Sequence, residues 1–524
     1  MKSLVIGLDG ASFNVLEPWI AGGQLPTLAK MIEQGCSGIL GSTIPPLTCP
    51  AVPCLYTGKN PGKLGIGARG FVNPDGSPIS ASDIDSDTVW DILGGHGYRS
   101  CIANLRSTYP PQPFNGVMIS GSPPSPDSPY VFPSDLQKKT AGFHISNEAF
   151  LELKTQISNK QRAGLDTLKD LIWKRYHIFK TIVEKDAFDF GLLWIESTDV
   201  IQHWSWKNPG FILEIFQQVD KVLADVVSSF ANTNILVVSD HGFEGLYYRR
   251  FNVNVWLRQQ GFLRLSGSPS LSQFLHQSYL SLKKRLPQNV LRVLQSFRGH
   301  ARKTGRIRTT STALSPPVIP GADWQNGGAY LDTHWGIRVV PGNMASSEVD
   351  KFTQDIVDKL KRLHDGTGRK VAKGVWRREQ VYSGPHVGEF PDIVFLLNQY
   401  EPYKVLTGEA LPDTTLTPRF GRHDFAPEGI IIAYGPDMQW GGELKEASIM
   451  DVTPTALHMM GTAIPTETDG RVLHQIFDKK SEPATRPVIF SDSDYKRSDS
   501  PIGRSSAEEE QLIIARLKGL GYLE

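Results

Sequence analysis

Three short apolar runs constrain this chain most: SLVIGLD (3–9), FGLLWIES (190–197) and NILVVSD (234–240). Each is rich in Leu, Ile and Val, and each breaks off into polar, acid-bearing residues. Near-continuous apolar runs of this length fit strands buried on both faces, as parallel sheets require. Between the last two runs, Ile215, Val219, Val222, Leu223 and Val226 recur at helical spacing. PDIVFLL (391–397) and GIIIAYG (429–435) supply two more apolar strands. Strands alternating with helical stretches predict an α/β fold, with a mostly parallel central sheet carrying helices on both faces.

Ligands of such sheets gather outside the carboxyl ends of the strands. Asp9, Asp199 and Asp240 all fall at or just past that end of their strands, so they are expected to share a site. Asp199 and His203 are four apart, which places both on one face of a helix. Asp240 and His241 precede Gly242, a residue that lets the backbone bend close to an ion or phosphate. His423, in GRHDFAPEG, precedes its strand and must be brought in by a loop. Carboxylate oxygen mixed with imidazole nitrogen suits zinc, and also manganese or iron, whereas thiolate ligands are absent from the set. Two divalent ions close together stabilise both the attacking and the leaving oxygen of an in-line displacement. Thr48, in PPLTCP, offers a hydroxyl that such a pair could activate.

Bulk properties narrow the alternatives. The 524 residues carry a formal charge of +1, so no global field points to nucleic acid or an anionic membrane surface. No stretch is long and apolar enough to cross a bilayer. The N-terminus lacks a signal-peptide layout, its first apolar run reading as a strand. Four cysteines, Cys36, Cys49, Cys54 and Cys101, are few for so long a chain and fit a reducing compartment, as they would a disulfide-poor periplasmic protein; a cytoplasmic protein is the default expectation. From Gly261 to Ala322 there is no Asp or Glu, while Lys and Arg accumulate. The expected division is a core of 1–258 and 323–480, a basic, mainly helical insertion or cap over 259–322, and a tail over 481–524 ending in a helix. His300, His334, His364, His386 and His458 have no partner pattern and read as structural or surface residues. Trp194, Trp204, Trp206 and Trp324 read as core or rim packing, with stacking on an aromatic substrate group as the alternative.

Taken in order, several motifs resemble one family. They are GLDGA, PPLTCPAVPCLYTGKNPGKLGI (45–66), the Asp199/His203 pair, SDHG, FNVNVWLRQQGFL (251–263), ADW (322–324), GPHVGEFPDIVF (384–395), GRHDFAPEGIIIAYGP and the terminal LKGLGYLE. Together they resemble the type I phosphodiesterase and nucleotide pyrophosphatase branch of the alkaline phosphatase superfamily. That resemblance implies an alkaline phosphatase-like fold and two divalent ions, usually zinc. It puts one ion on Asp199, His203 and His423, and the other on Asp9, Thr48, Asp240 and His241. It makes Thr48 a nucleophile that forms a phosphothreonine, which water then hydrolyses. The substrate implied is a small phosphorylated molecule, with nucleotides among the candidates.

Two positions depart from the pattern. Ala51 stands where nucleotide pyrophosphatases place an Asn on a non-bridging phosphate oxygen, and Leu64 stands where a His is frequent. Lys59, Lys63 and Arg69 are close enough in sequence to supply phosphate contacts instead. Rival readings are phosphomonoesterase, phosphomutase or sulfatase chemistry on the same scaffold, or a catalytically silent binding protein. A threonine cannot become the formylglycine of sulfatases, and the family's mutases use serine at the nucleophile position.

Overall fold

The structure, a computed structural model, describes residues 1–246, 249–265, 319, 321–412, 420–492 and 505–520. Most of the basic 259–322 stretch therefore lies outside the described residues. The main body is a nine-stranded sheet. Its strands in chain order are β1 (Ser3–Leu8), β2 (Cys36–Gly41), β3 (Ser100–Ala103), β4 (Gly116–Ile119), β5 (Val131–Phe132), β6 (Phe190–Ile195), β7 (Asn234–Val238), β8 (Glu428–Tyr434) and β9 (Gly442–Ser448). Across the sheet the order is β9-β2-β8-β7-β1-β6-β3-β4-β5. Only β8 and β5 run against the rest.

Alternation along each strand explains why both faces are covered. Leu4, Ile6 and Leu8 enter one core, with the helices Asn147–Ser158, Arg162–Lys185 and Pro209–Ser229. Val5, Leu192, Trp194, Leu236 and Val238 enter the other, with Thr48–Thr57, Val89–Gly95 and Val452–Met460. A strand sandwiched this way must be apolar at every position, which is the pattern its sequence shows.

Two expected strands are placed differently. Gly429–Tyr434 joins the central sheet but runs antiparallel to both neighbours. Ile393–Leu397 leaves that sheet altogether. It pairs antiparallel with Gly336–Val340 and Ala372–Arg377 in a second, four-stranded sheet with its own core around Phe251, Trp256, Ile337 and Phe395. A fully buried apolar run looks the same whichever covered sheet receives it, so the sequence alone could not separate the two outcomes. The helix Ala507–Leu520 packs back on the main body, with Leu517 against Leu47, Cys49 and Phe71.

Candidate active site

Asp9 follows β1, Asp240 lies two residues past β7, and Asp199 lies in the Ser197–Ser205 helix that leaves β6. These three strands are neighbours, in the order β7-β1-β6, so parallel topology alone brings the carboxylates to one edge. All three are fully buried. Gly10 turns the chain with φ +67°, and its N–H donates to Asp240 Oδ1 at 3.2 Å. The Ser197–Ser205 helix is stitched to the same turn: the Thr198 hydroxyl donates to Asp9 O at 2.6 Å, and Gln202 Nε2 donates to Gly10 O at 2.9 Å. Helical spacing then sets His203 Nε2 3.4 Å from Asp199 Oδ1.

Thr48 is buried where the Thr48–Thr57 helix begins. Cys49 departs from helical backbone (φ −110°, ψ 101°), so regular helix starts at Pro50, a position proline favours. The Thr48 hydroxyl lies 3.5 Å from Asp9 Oδ1 and 3.1 Å from His241 Nε2. His241 Nε2 is also 3.2 Å from Asp240 Oδ2 and 3.7 Å from Asp9 Oδ1.

His423 arrives by a short ribbon. Phe420–Arg422 pairs antiparallel with Glu244–Leu246, and the turn after it closes on Gly242, whose N–H donates to Ala426 O at 2.8 Å. The imidazoles of His241 and His423 stack with centroids 4.0 Å apart, and His203 meets His423 edge-on at 5.1 Å. His423 Nδ1 faces Pro46 O at 3.0 Å, and His241 Nδ1 faces Gly242 O at 3.1 Å. A carbonyl only accepts, so each Nδ1 carries the proton and each Nε2 keeps a lone pair for the interior. Metal-binding histidines are oriented by this same outer contact.

Electrostatics point the same way. Burial raises the Asp9 carboxyl well above the usual range, with the charges of Asp240 and Asp199 adding to it. Burial likewise pushes Asp240 up to about 7, again helped by Asp199. At Asp199 burial also pushes upward, but the adjacent His203 outweighs it and holds the carboxyl below its ordinary value. Burial lowers His241 to about 4 and His423 to about 3, so both are neutral near pH 7. Three buried carboxylates crowding two neutral imidazoles is a donor set suited to cations. Two groups have one ligand atom per residue within 4.8 Å of every other: Asp199, His241 and His423, and Asp9, Asp240 and His241. His241 thus stands between the groups, whereas His203 joins through Asp199.

All seven residues expected at the site converge. The positions weighed for phosphate contact, Ala51, Lys59, Lys63 and Arg69, are placed as follows. Lys59 lies beyond the far end of the Thr48–Thr57 helix, about 15 Å from Thr48 at 1.5 Å per residue, and its ammonium is paired with Glu467. Lys63 pairs with Asp469 at 2.7 Å. Arg69 reaches Asp332 at 3.3 Å, and Ala51 is fully buried within the helix. For Lys59, nearness in sequence is offset by the helix, which carries residues away from its start. Trp194, expected in core or rim packing, also donates its indole N–H to Asp9 Oδ2 at 2.9 Å. Gly7 sits opposite Trp194 across β1 and β6, and a Cβ there would fall 1.8 Å from the indole ring. No local sequence signal marks that pairing, because it joins strands far apart in the chain.

The family model for type I phosphodiesterase / nucleotide pyrophosphatase matches residues 3–400. Among solved structures, phosphonoacetate hydrolase from Sinorhizobium meliloti, bound to phosphonoacetate, is similar over 86% of this chain and 94% of its own, with 16% identity and a TM-score of 0.50. An inactive variant of murine ectonucleotide pyrophosphatase / phosphodiesterase 5 in complex with AMP is similar over 88% and 96%, with 13% identity and a TM-score of 0.46. No curated protein matches.

Proposed function

The chain belongs to the type I phosphodiesterase / nucleotide pyrophosphatase family, and from that membership we propose that it cleaves phosphodiester or phosphoanhydride bonds through Thr48 and two divalent cations. Asp9, Thr48, Asp199, His203, Asp240, His241 and His423 hold the cations in this reading, and zinc suits the donors best, with manganese second. The observation that carries it is that His241, shared by two groups of buried carboxylate and imidazole ligands, sets its Nε2 against the Thr48 hydroxyl, with Asp9 Oδ1 beside it. When bound, the cations offset the carboxylate charge, acidify the hydroxyl and stabilise charge on the attacking and leaving oxygens.

Thr48 sits where a phosphate would meet the start of a helix, an environment that favours anions. Its Oγ1 forms the new bond to phosphorus while the bond to the leaving oxygen breaks. Asp9 Oδ1, 3.5 Å away, accepts the hydroxyl's hydrogen bond and orients it, and the proton passes to water. Water then cleaves the phosphothreonine and restores the hydroxyl.

Thr48→Ala tests the assignment. It should keep both metals, measured by elemental analysis, and lose turnover of bis(p-nitrophenyl) phosphate by ~10³-fold or more, as loss of a nucleophile does elsewhere. Wild-type rates in that variant would disprove the mechanism. The substrate panel should include a phosphomonoester and phosphonoacetate, since the Sinorhizobium enzyme binds the latter. Among the described residues no helix is long and apolar enough to cross a membrane. The four cysteines are free and buried, which supports a cytoplasmic site of action as part of this proposal, to be checked by fractionation.

A further inference from the structure

Next to the seven-residue site, one step along the sheet, lies a cluster that the proposed reaction does not use. Glu196 follows β6, and Arg106 lies three residues past β3. Arg175 comes from the Arg162–Lys185 helix, and Arg516 from Ala507–Leu520. All four are 4–6% exposed. Arg175 Nη1 is 2.8 Å from Glu196 Oε1, Arg106 Nη2 is 3.4 Å from Oε2, and Arg516 Nη2 is 3.8 Å from Oε1.

Among the described residues the cluster sets three guanidinium groups against the one carboxylate of Glu196, with Arg106 also donating to Ser122 and close enough to Asp9 to feel its charge. Burying guanidinium donors that lack an acceptor costs free energy. His144 nearby adds no charge, because burial, aided by Arg175 and Arg516, holds it neutral. Among the described residues, Arg175 Nη2 and Arg516 Nε have no hydrogen-bond partner although both are buried. Donors left this way are expected to face a water or an anion. Burial also pulls the Arg516 guanidinium down to about 10, with Arg175 and Arg106 repelling it against the pull of Glu196. The same helix that carries Arg516 packs Leu517 against Leu47 and Cys49, the two neighbours of Thr48.

We propose that Arg106, Arg175 and Arg516 form a binding site for a small oxyanion, a phosphate or carboxylate group, enclosed by the Ala507–Leu520 helix beside Thr48. The anion takes hydrogen bonds from the Arg175 and Arg516 donors and balances the excess charge. The occupant is either a second acidic group of the substrate or a free anion. The first source rests on the phosphohydrolase reading above; the binding site itself does not.

The test uses sulfate as probe and the full chain as purified. Sulfate should raise the melting temperature of the wild type and of Leu517→Ala, which loosens the same helix without touching the cluster. It should leave Arg516→Gln unmoved. An unresponsive wild type, an equal response in Arg516→Gln, or equal loss in both variants would overturn the site. Kinetics then separate the sources. If the substrate supplies the anion, Arg516→Gln raises KM for ATP about tenfold, the worth of one charge-assisted hydrogen bond, and leaves KM for bis(p-nitrophenyl) phosphate unchanged. If the anion is free, both KM values stay while the sulfate response is lost. Because melting needs no turnover, failure of the anion site and failure of the hydrolase reading are told apart.

Discussion

Asp240 shows how one side chain's titration can test the proposed cation site. Its folded-state carboxyl is pushed up to about 7, first by burial and then by Asp199, whereas an unfolded-chain aspartate titrates near ~3.9. Without cations, the folded protein therefore keeps a proton there that the unfolded chain has released. A raised folded pKa stabilises at low pH, and that contribution disappears as pH rises through about 7. Asp240→Asn removes the titration. In metal-free protein, the melting temperature of the variant relative to wild type should climb between pH 5 and 8; a flat or falling difference would contradict the site's electrostatics. In loaded protein the same change should cost activity by about 100-fold or more, since even outer contacts to metal ligands cost 10–100-fold. Asp240 was legible in sequence because SDHG ends a strand. The donors behind it were not: Pro46 O and Gly242 O fix the imidazoles, and backbone carbonyls leave no mark in a sequence.

Among elements, the β1/β6 pair does most to position the candidate nucleophile's neighbour. Gly7 leaves room for the Trp194 ring, and the indole in turn holds Asp9. Gly7→Ala should destabilise the fold by ~1–3 kcal/mol, the usual cost of overpacking, and lower kcat as Asp9 shifts. Chemical denaturation with parallel rates checks it, and unchanged values in both would remove the glycine from the argument. Parallel strands made Asp9, Asp199 and Asp240 readable from sequence, since every such strand delivers its next residues to one edge. Elements that depend on distant pairing were harder. Ile393–Leu397 carries no sign of which sheet it joins, and His423 depends on a ribbon formed with Glu244–Leu246. The Arg106, Arg175, Arg516 and Glu196 cluster is scattered along the chain without local pattern, so only folding reveals it.

For the molecule as a whole, the fold gathers three buried carboxyl groups at the carboxyl edge of the sheet. Stripping cations with a chelator should lower the melting temperature by several degrees, and zinc or manganese should restore it, because ligands that bind only the native state stabilise by mass action. An unchanged transition after verified metal removal would argue against a resident ion pair. Broad architecture followed from patterning, since buried strands and amphipathic helices leave few arrangements that cover both faces. Strand order did not, because which strands become neighbours is decided by contacts far apart in sequence.

The bond from the Trp194 indole to Asp9 also makes the protein its own optical gauge. An indole polarised by an adjacent carboxylate emits differently when that carboxylate changes charge or company. Subtracting the emission spectrum of Trp194→Phe would therefore isolate a colour signal from the heart of the molecule, letting occupancy be followed by light alone, without label or substrate.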